Sequence, residues 1–518
     1  MTNQPQTAVA CPLWTEVDPR LPFWQYYELF RRSNYGFLLD SGMDHQRLGQ
    51  YSFLGGEPFL VFRAKRRPGG PPQAGAKVAW QWLADADGRA LDRPETTTCI
   101  ADPFARLREM LRGVGRLSAR DEPPPVPFQA GAVGYFGYEA GHFIEQLPDT
   151  GRDDPALPDV YLMFIDKLLA KCHRSGRTWL SVLGRGDDED SARRRAESLR
   201  DRMLGRIEAL EPQCVPTTRA SSSTVPTPDQ VARTMVDVTS QFDQAGYQRA
   251  VATIREHIAA GDIFQACMTQ RFDAPLVGGD AWDLYQQLRR INPAPFAGYL
   301  NFPEAQVVSS SPERFLRLGA DRFAESRPIK GTRPRGATPE EDAALREQLL
   351  ASEKDRAENV MIVDLIRNDL GRVCQYGTVR VPELMTIEPY ATVWQMVSTV
   401  RGRLCDEFDA VDLIRACFPG GSMTGAPKIQ AMKILDRLEP GCRGVYSGSI
   451  GYLDFAGPMD LSIVIRTLVV KDGRCYFNAG GGIVADSQPE SEYLEMLAKA
   501  KALVAALQSL KARALDAV

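Results

Sequence analysis

A lysine in a run of cations, prolines and glycines is the first candidate for chemistry in this chain. Residues 327–336 have the sequence RPIKGTRPRG, with Lys330 near the centre. The two prolines restrict φ, and the two glycines allow φ values that other residues avoid. We therefore expect a tightly bent loop that holds Lys330 in position. Three arginines lie within five residues of it, and like charges favour the neutral, nucleophilic amine. The alternative interpretation is a solvated basic loop that only binds an anion.

Catalysis by this lysine requires acidic partners from other elements. Glu313 precedes Lys330 by seventeen residues, near the end of a predicted hairpin, so the two side chains could face one cavity. Glu358 lies in the first turns of a helix predicted over residues 351–371. These two carboxylates could act as a proton donor and a metal ligand.

The C-terminal helix offers two more carboxylates. A capping-box pattern predicts that this helix begins near Ser487, which places Glu492 and Glu495 one turn apart on one face. Glu495 also forms an i,i+4 pair with Lys499. The helix pattern alone favours an ordinary surface ion pair over a site.

Together these residues describe a site for a small dianion and magnesium. Mg²⁺ usually takes one or two protein carboxylates, so Glu358 and Glu495 would suffice. Arg466, in a predicted strand, and two glycine-rich stretches over residues 418–428 and 478–487 could bind anions. Neither stretch matches a Walker A or dinucleotide-binding pattern, which argues against nucleotide binding.

The composition and a linker-like segment indicate a globular protein with two domains. The chain has 518 residues and a formal net charge of −4, which gives no indication of nucleic-acid binding. It has no C-x-x-C pair, no signal-peptide pattern and no long apolar run, so we expect a soluble cytoplasmic protein. A linker rich in Pro, Ser and Thr over residues 211–240 would separate an N-terminal domain, residues 12–210, from a catalytic domain, residues 241–512.

The second domain resembles the chorismate-utilising enzymes, in which aminodeoxychorismate synthase component I and anthranilate synthase component I are close kin. Six motifs match in order, at residues 311–315, 327–336, 354–359, 366–371, 421–428 and 480–495. The resemblance covers roughly residues 241–510, and the first domain matches more weakly, mainly through residues 37–42. It implies an α+β fold of the anthranilate synthase component I type, a two-part β-sandwich in which two interleaved parts each contribute a large antiparallel sheet, with helices outside.

The resemblance also implies an activity. Pro-Ile-Lys-Gly-Thr is typical of aminodeoxychorismate synthases, whereas anthranilate synthases usually carry alanine at the position of Lys330. By this resemblance Lys330 attacks C2 of chorismate while Glu313 protonates the departing 4-hydroxyl. Ammonia then attacks C4 and expels the lysine, giving 4-amino-4-deoxychorismate for the synthesis of 4-aminobenzoate and folate. The chain contains no glutaminase pattern, so a glutamine amidotransferase subunit would supply the ammonia.

Ligand-binding roles carry over from the family motifs in the same way. Magnesium would be held by Glu358 and Glu495 with Glu492 beside them. The implied substrate-binding residues are Gly331, Thr332, Tyr446, Arg466, Gly480, Gly481, Gly482, Gln265 and Lys428. A tryptophan pocket, as in the first domain of some relatives, would involve Leu39, Asp40, Ser41, Pro293, Ala294 and Pro295.

Two further positions bear on the reaction. Isochorismate-forming and salicylate-forming relatives carry a water-activating lysine where this chain has Gln265, so addition of water is disfavoured. Gln395 replaces a histidine that is common in both synthase types, which weakly disfavours pyruvate elimination. Two alternatives stay open: anthranilate synthase component I, and a non-catalytic chorismate-binding regulatory subunit.

Overall fold

The computed structural model describes residues 8–43, 48–67, 75–85, 88–118, 122–213, 237–390 and 393–516. Residues 214–236 of the predicted linker lie outside the described residues, and the domain boundaries stay a prediction. Within these ranges, no helix is both long enough and apolar enough to span a membrane.

Strands dominate both halves of the chain. The first half contains β1 Val9–Val17, β2 Gly36–Asp40, β3 Tyr51–Gly56, β4 Leu60–Lys65, β5 Ala76–Trp82, β6 Thr96–Ala101, β7 Arg116–Leu117, β8 Gly131–Phe136, β9 Val160–Ile165, β10 Lys167–Cys172 and β11 Thr178–Gly186. The second half contains β12 Thr239–Ser240, β13 Gln265–Pro275, β14 Phe296–Asn301, β15 Gln306–Ser311, β16 Arg314–Leu318, β17 Phe323–Arg327, β18 Ile329–Pro334, β19 Arg380–Pro389, β20 Val393–Arg403, β21 Gly425–Ala426, β22 Ser449–Asp454, β23 Met459–Ile463, β24 Thr467–Lys471 and β25 Arg474–Ile483.

The described helices are α1 Pro103–Arg112, α2 Glu189–Leu210, α3 Gln244–Ala259, α4 Ala281–Ile291, α5 Pro339–Ala351, α6 Glu353–Gly371, α7 Ala410–Cys417, α8 Lys428–Leu438 and α9 Pro489–Asp516. The helix predicted over residues 351–371 is therefore α6, which starts two residues later. Its N-cap is Ser352, whose side chain accepts a hydrogen bond from the backbone N–H of Asp355.

Two large sheets form the framework, and each takes strands from both halves of the chain. The first sheet has 13 strands and the second has 12. In the first sheet β2 pairs with β14, and in the second β8 pairs with β22, so backbone hydrogen bonds join the halves twice. The predicted α+β sandwich of two large, mostly antiparallel sheets is confirmed, and the two parts of the chain are interleaved in both sheets.

The packing has four layers. Aromatic and aliphatic side chains such as Phe53, Tyr135 and Leu300 fill the space between the two sheets. The outer face of the first sheet packs against α2, α3, α4 and α9, through residues such as Met203 and Met496. The second sheet packs against α1, α6 and α7, through residues such as Ile362 and Ile414. Helices therefore cover both outer faces, as a sandwich with apolar strands on both sides requires.

The stretch around Lys330 is a strand, which corrects the expected loop. β17 and β18 run one after the other along β20, with Ser326 opposite Val400 and Ile329 opposite Val397. The register shifts between Ile329 and Thr332, so the extra residue forms a β-bulge at Lys330 and Gly331. Gly331 has φ +89°, which favours glycine. The prolines and glycines thus shape a bulge within an extended segment.

The second glycine-rich stretch is also a strand. Residues 480–482 belong to β25, which pairs with β13, and a Cβ on Gly480 would lie 2.1 Å from the carbonyl oxygen of Met268. The expectation of a loop presenting free N–H groups is wrong here, because these N–H groups belong to a sheet. Glycine is needed there for close approach.

Candidate active site

Lys330 lies where the ends of the two sheets meet α6 and α9. Its Nζ atom is 3.7 Å from Oε2 of Glu358, and both side chains are 12% exposed. A Cβ on Gly482 would be 3.2 Å from the same Nζ, so the lysine lies against the glycine strand. The β-bulge in β18 and the bare face of β25 thus make room for the amine in a partly buried pocket.

The arginines near Lys330 in the sequence do not crowd it. Arg327 contacts Glu388 at 2.6 Å, Arg333 contacts Asp355 at 2.9 Å, and Arg335 contacts Asp342 at 2.6 Å. Each cation therefore has a carboxylate partner, whereas Lys330 itself faces Glu358. The prediction that three neighbouring arginines crowd Lys330 and favour the neutral amine is wrong in this structure. Any activation of the lysine must come from its own pocket and from substrate.

Glu313 has the properties of a general acid. It lies in the link between β15 of the first sheet and β16 of the second, and its side chain is buried. The backbone N–H of Ile329 points to its Oε1 at 3.5 Å, so the carboxyl group lies beside the residue that precedes Lys330. Burial raises the pKa of Glu313 to about 7, opposed by a hydrogen bond from Ser422 and by the charge of Lys330. Near neutral pH the carboxyl group can hold a proton and donate it.

Glu358 projects from the second turn of α6. Burial raises its pKa, while the ammonium groups of Lys330 and Lys354 oppose that effect. The position matches the sequence prediction, and the contact with Lys330 links the candidate metal ligand to the candidate nucleophile.

The carboxylates of α9 lie above Gly481. A Cβ at Gly481 would be 3.3 Å from Oε2 of Glu492, 3.5 Å from Nζ of Lys499 and 3.9 Å from Oε1 of Glu495. Glu492 is buried and accepts hydrogen bonds from Ser487 at 2.7 Å and from Lys354 at 3.4 Å. Lys499 contacts Glu495 at 2.8 Å and lowers its pKa. The i,i+4 pair predicted from sequence exists, but it belongs to the site.

The donor set over Gly481 fits a magnesium ion in its chemistry. Mg²⁺ requires oxygen ligands, and this place offers them. The ammonium group of Lys499 lies between the carboxylate of Glu495 and the backbone carbonyl of Gly480, so a cation already occupies the position. Among the described residues, no three His, Cys, Asp or Glu side chains are arranged to hold a metal by themselves. A metal here would therefore need substrate oxygens or water to complete its coordination.

Arg466 is the arginine that the sequence predicts to bind an anion. Arg466 lies in the bend between β23 and β24 with φ +52°, not in the strand predicted for it. It forms no ion pair with any carboxylate in the described part of the chain, and burial lowers its pKa. The ring of Tyr446 is buried and interacts electrostatically with Arg466. A partly buried guanidinium of this kind can bind a carboxylate bidentately.

Two buried amides border the pocket. Gln265, in β13, and Gln395, in β20, each have a side-chain oxygen with no hydrogen-bond partner among the described residues. The Nε2 atom of Gln265 would lie 2.3 Å from a Cβ on Gly482, and Gln395 pairs with Thr332 across the strands. Thr332 is exposed at the rim. Each unpaired oxygen is an acceptor available to a ligand.

Lys428 has a different environment from the other predicted substrate-binding residues. Its Nζ contacts Oδ2 of Asp369 at 2.7 Å and the carbonyl oxygen of Cys417 at 2.7 Å. These bonds tie the start of α8 to the ends of α6 and α7. They describe a structural link, and a contact of Lys428 with substrate stays a prediction.

A separate cavity of about 480 Å³ lies between the two sheets. Of the residues predicted for a tryptophan pocket, Leu39, Asp40, Ser41 and Pro295 line it. Pro293 and Ala294 do not line it, and the carbonyl of Ala294 accepts a hydrogen bond from Gly42. Aromatic side chains and ion-paired arginines complete its wall; they include Tyr51, Phe53, Tyr452, Arg314 and Arg327.

Sequence reasoning missed one cation and two hydroxyl groups of the site. Lys354, Ser422 and Ser487 contact the predicted carboxylates but were not predicted to. The i,i+4 spacing of Glu495 and Lys499 was the one signal available for Lys499. That spacing predicts the ion pair but does not predict that this face of α9 packs over β25.

An amine, a buried carboxyl group with a raised pKa and the carboxylates of α6 and α9 therefore lie together at one end of the sandwich. A family described as chorismate binding enzymes matches residues 69–505, and the chain belongs to that family.

The chain is similar to several individual members of this family. The chain is 42% identical to an aminodeoxychorismate synthase of Streptomyces pristinaespiralis over 94% of its own length. It is 41% identical to aminodeoxychorismate synthase component 1 of Klebsiella aerogenes, over 80% of this chain and 84% of that one. The solved anthranilate synthase component I of Streptococcus pneumoniae is 30% identical with a TM-score of 0.67, covering 89% and 94% of the two chains.

The lengths of these relatives differ. The chain spans 63% of the Streptomyces pristinaespiralis protein and 64% of a second one from Streptomyces griseus. It therefore corresponds to less than two thirds of those proteins.

Proposed function

We propose that this chain aminates chorismate at C4 to give 4-amino-4-deoxychorismate, the precursor of 4-aminobenzoate. The observation that carries the proposal is the position of Glu313 next to the β-bulge that carries Lys330, where the pKa of its buried carboxyl group is raised to about 7. One group can attack the ring while the other protonates the leaving hydroxyl. The names of the most similar relatives support the same activity.

The reaction consists of two allylic displacements. In the first, the Lys330 nitrogen bonds to C2, the two ring double bonds shift, and the C4–O bond breaks as Glu313 gives its proton to the departing water. In the second, ammonia bonds to C4, the double bonds shift back, and the C2–N bond to Lys330 breaks. A proton from the incoming nitrogen returns to Glu313. The balance is chorismate plus ammonia giving aminodeoxychorismate plus water.

The other residues hold the dianion in place. Arg466 and Tyr446 bind the enolpyruvyl carboxylate, because the guanidinium forms no ion pair with a carboxylate of the described residues. Gly480, Gly481 and Gly482 allow the ring to approach β25 closely, while Gly331 and Thr332 border it. Glu358 and Glu495, with Glu492 beside them, would hold a magnesium ion that anchors the ring carboxylate.

Gln265 disfavours water as the nucleophile. Its neutral amide cannot act as a general base, but its unpaired oxygen can accept a hydrogen bond from an N–H group. Ammonia comes from a glutamine amidotransferase partner, in keeping with relatives that are named component 1. Free ammonium at high concentration should replace that partner.

Product identity tests the proposal. The purified chain is incubated with chorismate, MgCl₂ and ammonium, with and without an added aminodeoxychorismate lyase, and products are identified by chromatography and mass. We expect 4-aminobenzoate only when the lyase is present. Anthranilate formed without lyase would overturn the proposal in favour of an anthranilate synthase. Absence of any product would favour a non-catalytic chorismate-binding subunit.

A variant pair tests the covalent step. Lys330→Ala should lower turnover by at least about a thousandfold, whereas Lys77→Ala, on an exposed position of β5, should leave it unchanged. With chorismate but no ammonia, the wild-type protein should gain the mass of chorismate less one water. The adduct should be absent from Lys330→Ala. Full activity of that variant would refute the role of the lysine.

The cavity between the sheets is suited to an aromatic amino acid, and we propose tryptophan as its ligand. Tyr51, Phe53 and Tyr452 offer ring contacts, and Asp40 is a buried carboxylate at the wall. L-tryptophan should raise the melting temperature, and Tyr452→Ala should abolish that rise. An unchanged melting temperature of the wild-type protein at millimolar tryptophan would rule this ligand out.

A further inference from the structure

The charges at the magnesium end of the site are balanced by lysines. Lys330 contacts Glu358 at 3.7 Å, and Lys354 contacts Glu492 at 3.4 Å. Lys499 contacts Glu495 at 2.8 Å. Three ammonium groups thus face three carboxylates before any ligand binds, and the carboxylates are not free to attract a divalent cation.

Lys499 is the member of this set that most directly occupies a metal position. Besides Glu495, its Nζ contacts the carbonyl oxygen of Gly480 at 3.0 Å, so it bridges a carboxylate and a backbone oxygen. It lies 3.5 Å from the position that a Cβ on Gly481 would fill, beside carboxylate oxygens of Glu492 and Glu495. The oxygen atoms around this position could bind a cation. The ammonium group of Lys499, a side chain of the protein itself, occupies the position beside the glycines of β25.

We propose that Lys499 is an exchangeable counter-ion that competes with Mg²⁺ for Glu495 and so sets the affinity of the free protein for the metal. The inference rests on the magnesium role in the proposed function. When the metal enters, the ammonium leaves Glu495, because two cations cannot share one carboxylate at such short range without strong repulsion. In the free protein the lysine neutralises the carboxylate of Glu495, whose side chain is 53% exposed.

The net charge of the site couples the binding of Mg²⁺ to the binding of chorismate. Chorismate carries two negative charges and Mg²⁺ two positive ones, so both together leave the net charge of the site unchanged. Either one alone shifts it by two. Lys499 therefore disfavours metal binding without substrate, and the released ammonium can face the incoming anion.

Direct metal binding tests the proposal without turnover. Mg²⁺ is titrated into the full chain by calorimetry, in the absence of chorismate, for the wild type, Lys499→Met, Lys499→Arg and Lys501→Met. Lys501 lies on the same helix and forms no ion pair among the described residues, so its variant controls for net charge. A part-exposed ion pair of this type is worth about a fivefold change in an equilibrium constant.

We expect Lys499→Met to bind Mg²⁺ roughly fivefold more tightly, and Lys499→Arg and Lys501→Met to resemble the wild type. Unchanged or weaker binding by Lys499→Met overturns the proposal. If that variant does not fold, reductive methylation of the wild type, read by mass spectrometry, decides: MgCl₂ should increase the labelling of Lys499 relative to Lys501. Equal labelling refutes the exchange. Neither readout uses amination, so a failed product assay is distinguishable from a failed counter-ion.

Discussion

Replacing Glu313 by glutamine should stabilise the protein at alkaline pH while removing its activity. The pKa of the buried carboxyl group is raised from 4.5 to about 7, which corresponds to about 3 kcal/mol at roughly 1.4 kcal/mol per unit. The folded state binds this proton more tightly than the unfolded state. Its contribution to stability is therefore fully present below pH 4.5 and is lost as the pH rises through 7. Glutamine has no charge to bury and avoids that loss.

Thermal unfolding from pH 5 to pH 8 measures the effect. The wild-type protein and Glu313→Gln should melt at similar temperatures at pH 5, and the variant should melt a few degrees higher at pH 8. Glu139 is also buried with a pKa of about 7, but both proteins carry it, so its effect cancels in the difference. Turnover should fall by roughly 10²- to 10⁴-fold in the variant.

The control is Glu208→Gln, which removes an exposed carboxylate from α2 and should shift melting equally at all pH values. A melting difference for Glu313→Gln that stays constant from pH 5 to pH 8 would refute the reasoning. So would a wild-type turnover rate that does not fall above pH 7, where Glu313 loses its proton.

Three further substitutions test other parts of the site. Gly331→Ala should cost about 1–2 kcal/mol from its left-handed backbone, seen as a lower melting temperature, because its Cβ would also lie 2.9 Å from the Cβ of Asp355. Lys428→Met should lower the free energy of unfolding, measured with denaturant, by about 3–5 kcal/mol, because it leaves buried Asp369 without its cation. A decrease below about 1 kcal/mol would contradict this. Arg466→Met should raise KM for chorismate roughly 10- to 100-fold with the fold intact by circular dichroism, and an unchanged KM would exclude its contact with substrate.

The residue types of the site could be predicted because each motif is local. Lys330, Glu313, Glu358 and Glu495 were chosen from sequence, and the structure places their elements at one end of the sandwich. The start of α6 could also be predicted, because Ser352 is a local capping signal.

Local patterns failed where strand pairing decides the conformation. Residues 329–334 and 480–482 contain glycines and a proline that indicate loops, yet they lie in β18 and β25 respectively. Proline and glycine are tolerated there at a bulge and at a close approach between strands, which no short window can reveal. The sharing of both sheets by both halves of the chain has the same cause, since hydrogen-bonded partners are far apart in sequence.

By itself the sequence determined the chemical inventory of this protein: an amine, an acid, carboxylates, and an amide where a basic residue would activate water. The tertiary structure alone decided their electrostatics. It pairs the three arginines near Lys330 with carboxylates, buries Glu313 until its pKa is about 7, and sets Lys499 over the glycine strand. The physical reason is that charge and burial depend on distances across packed layers, and composition along the chain does not contain those distances.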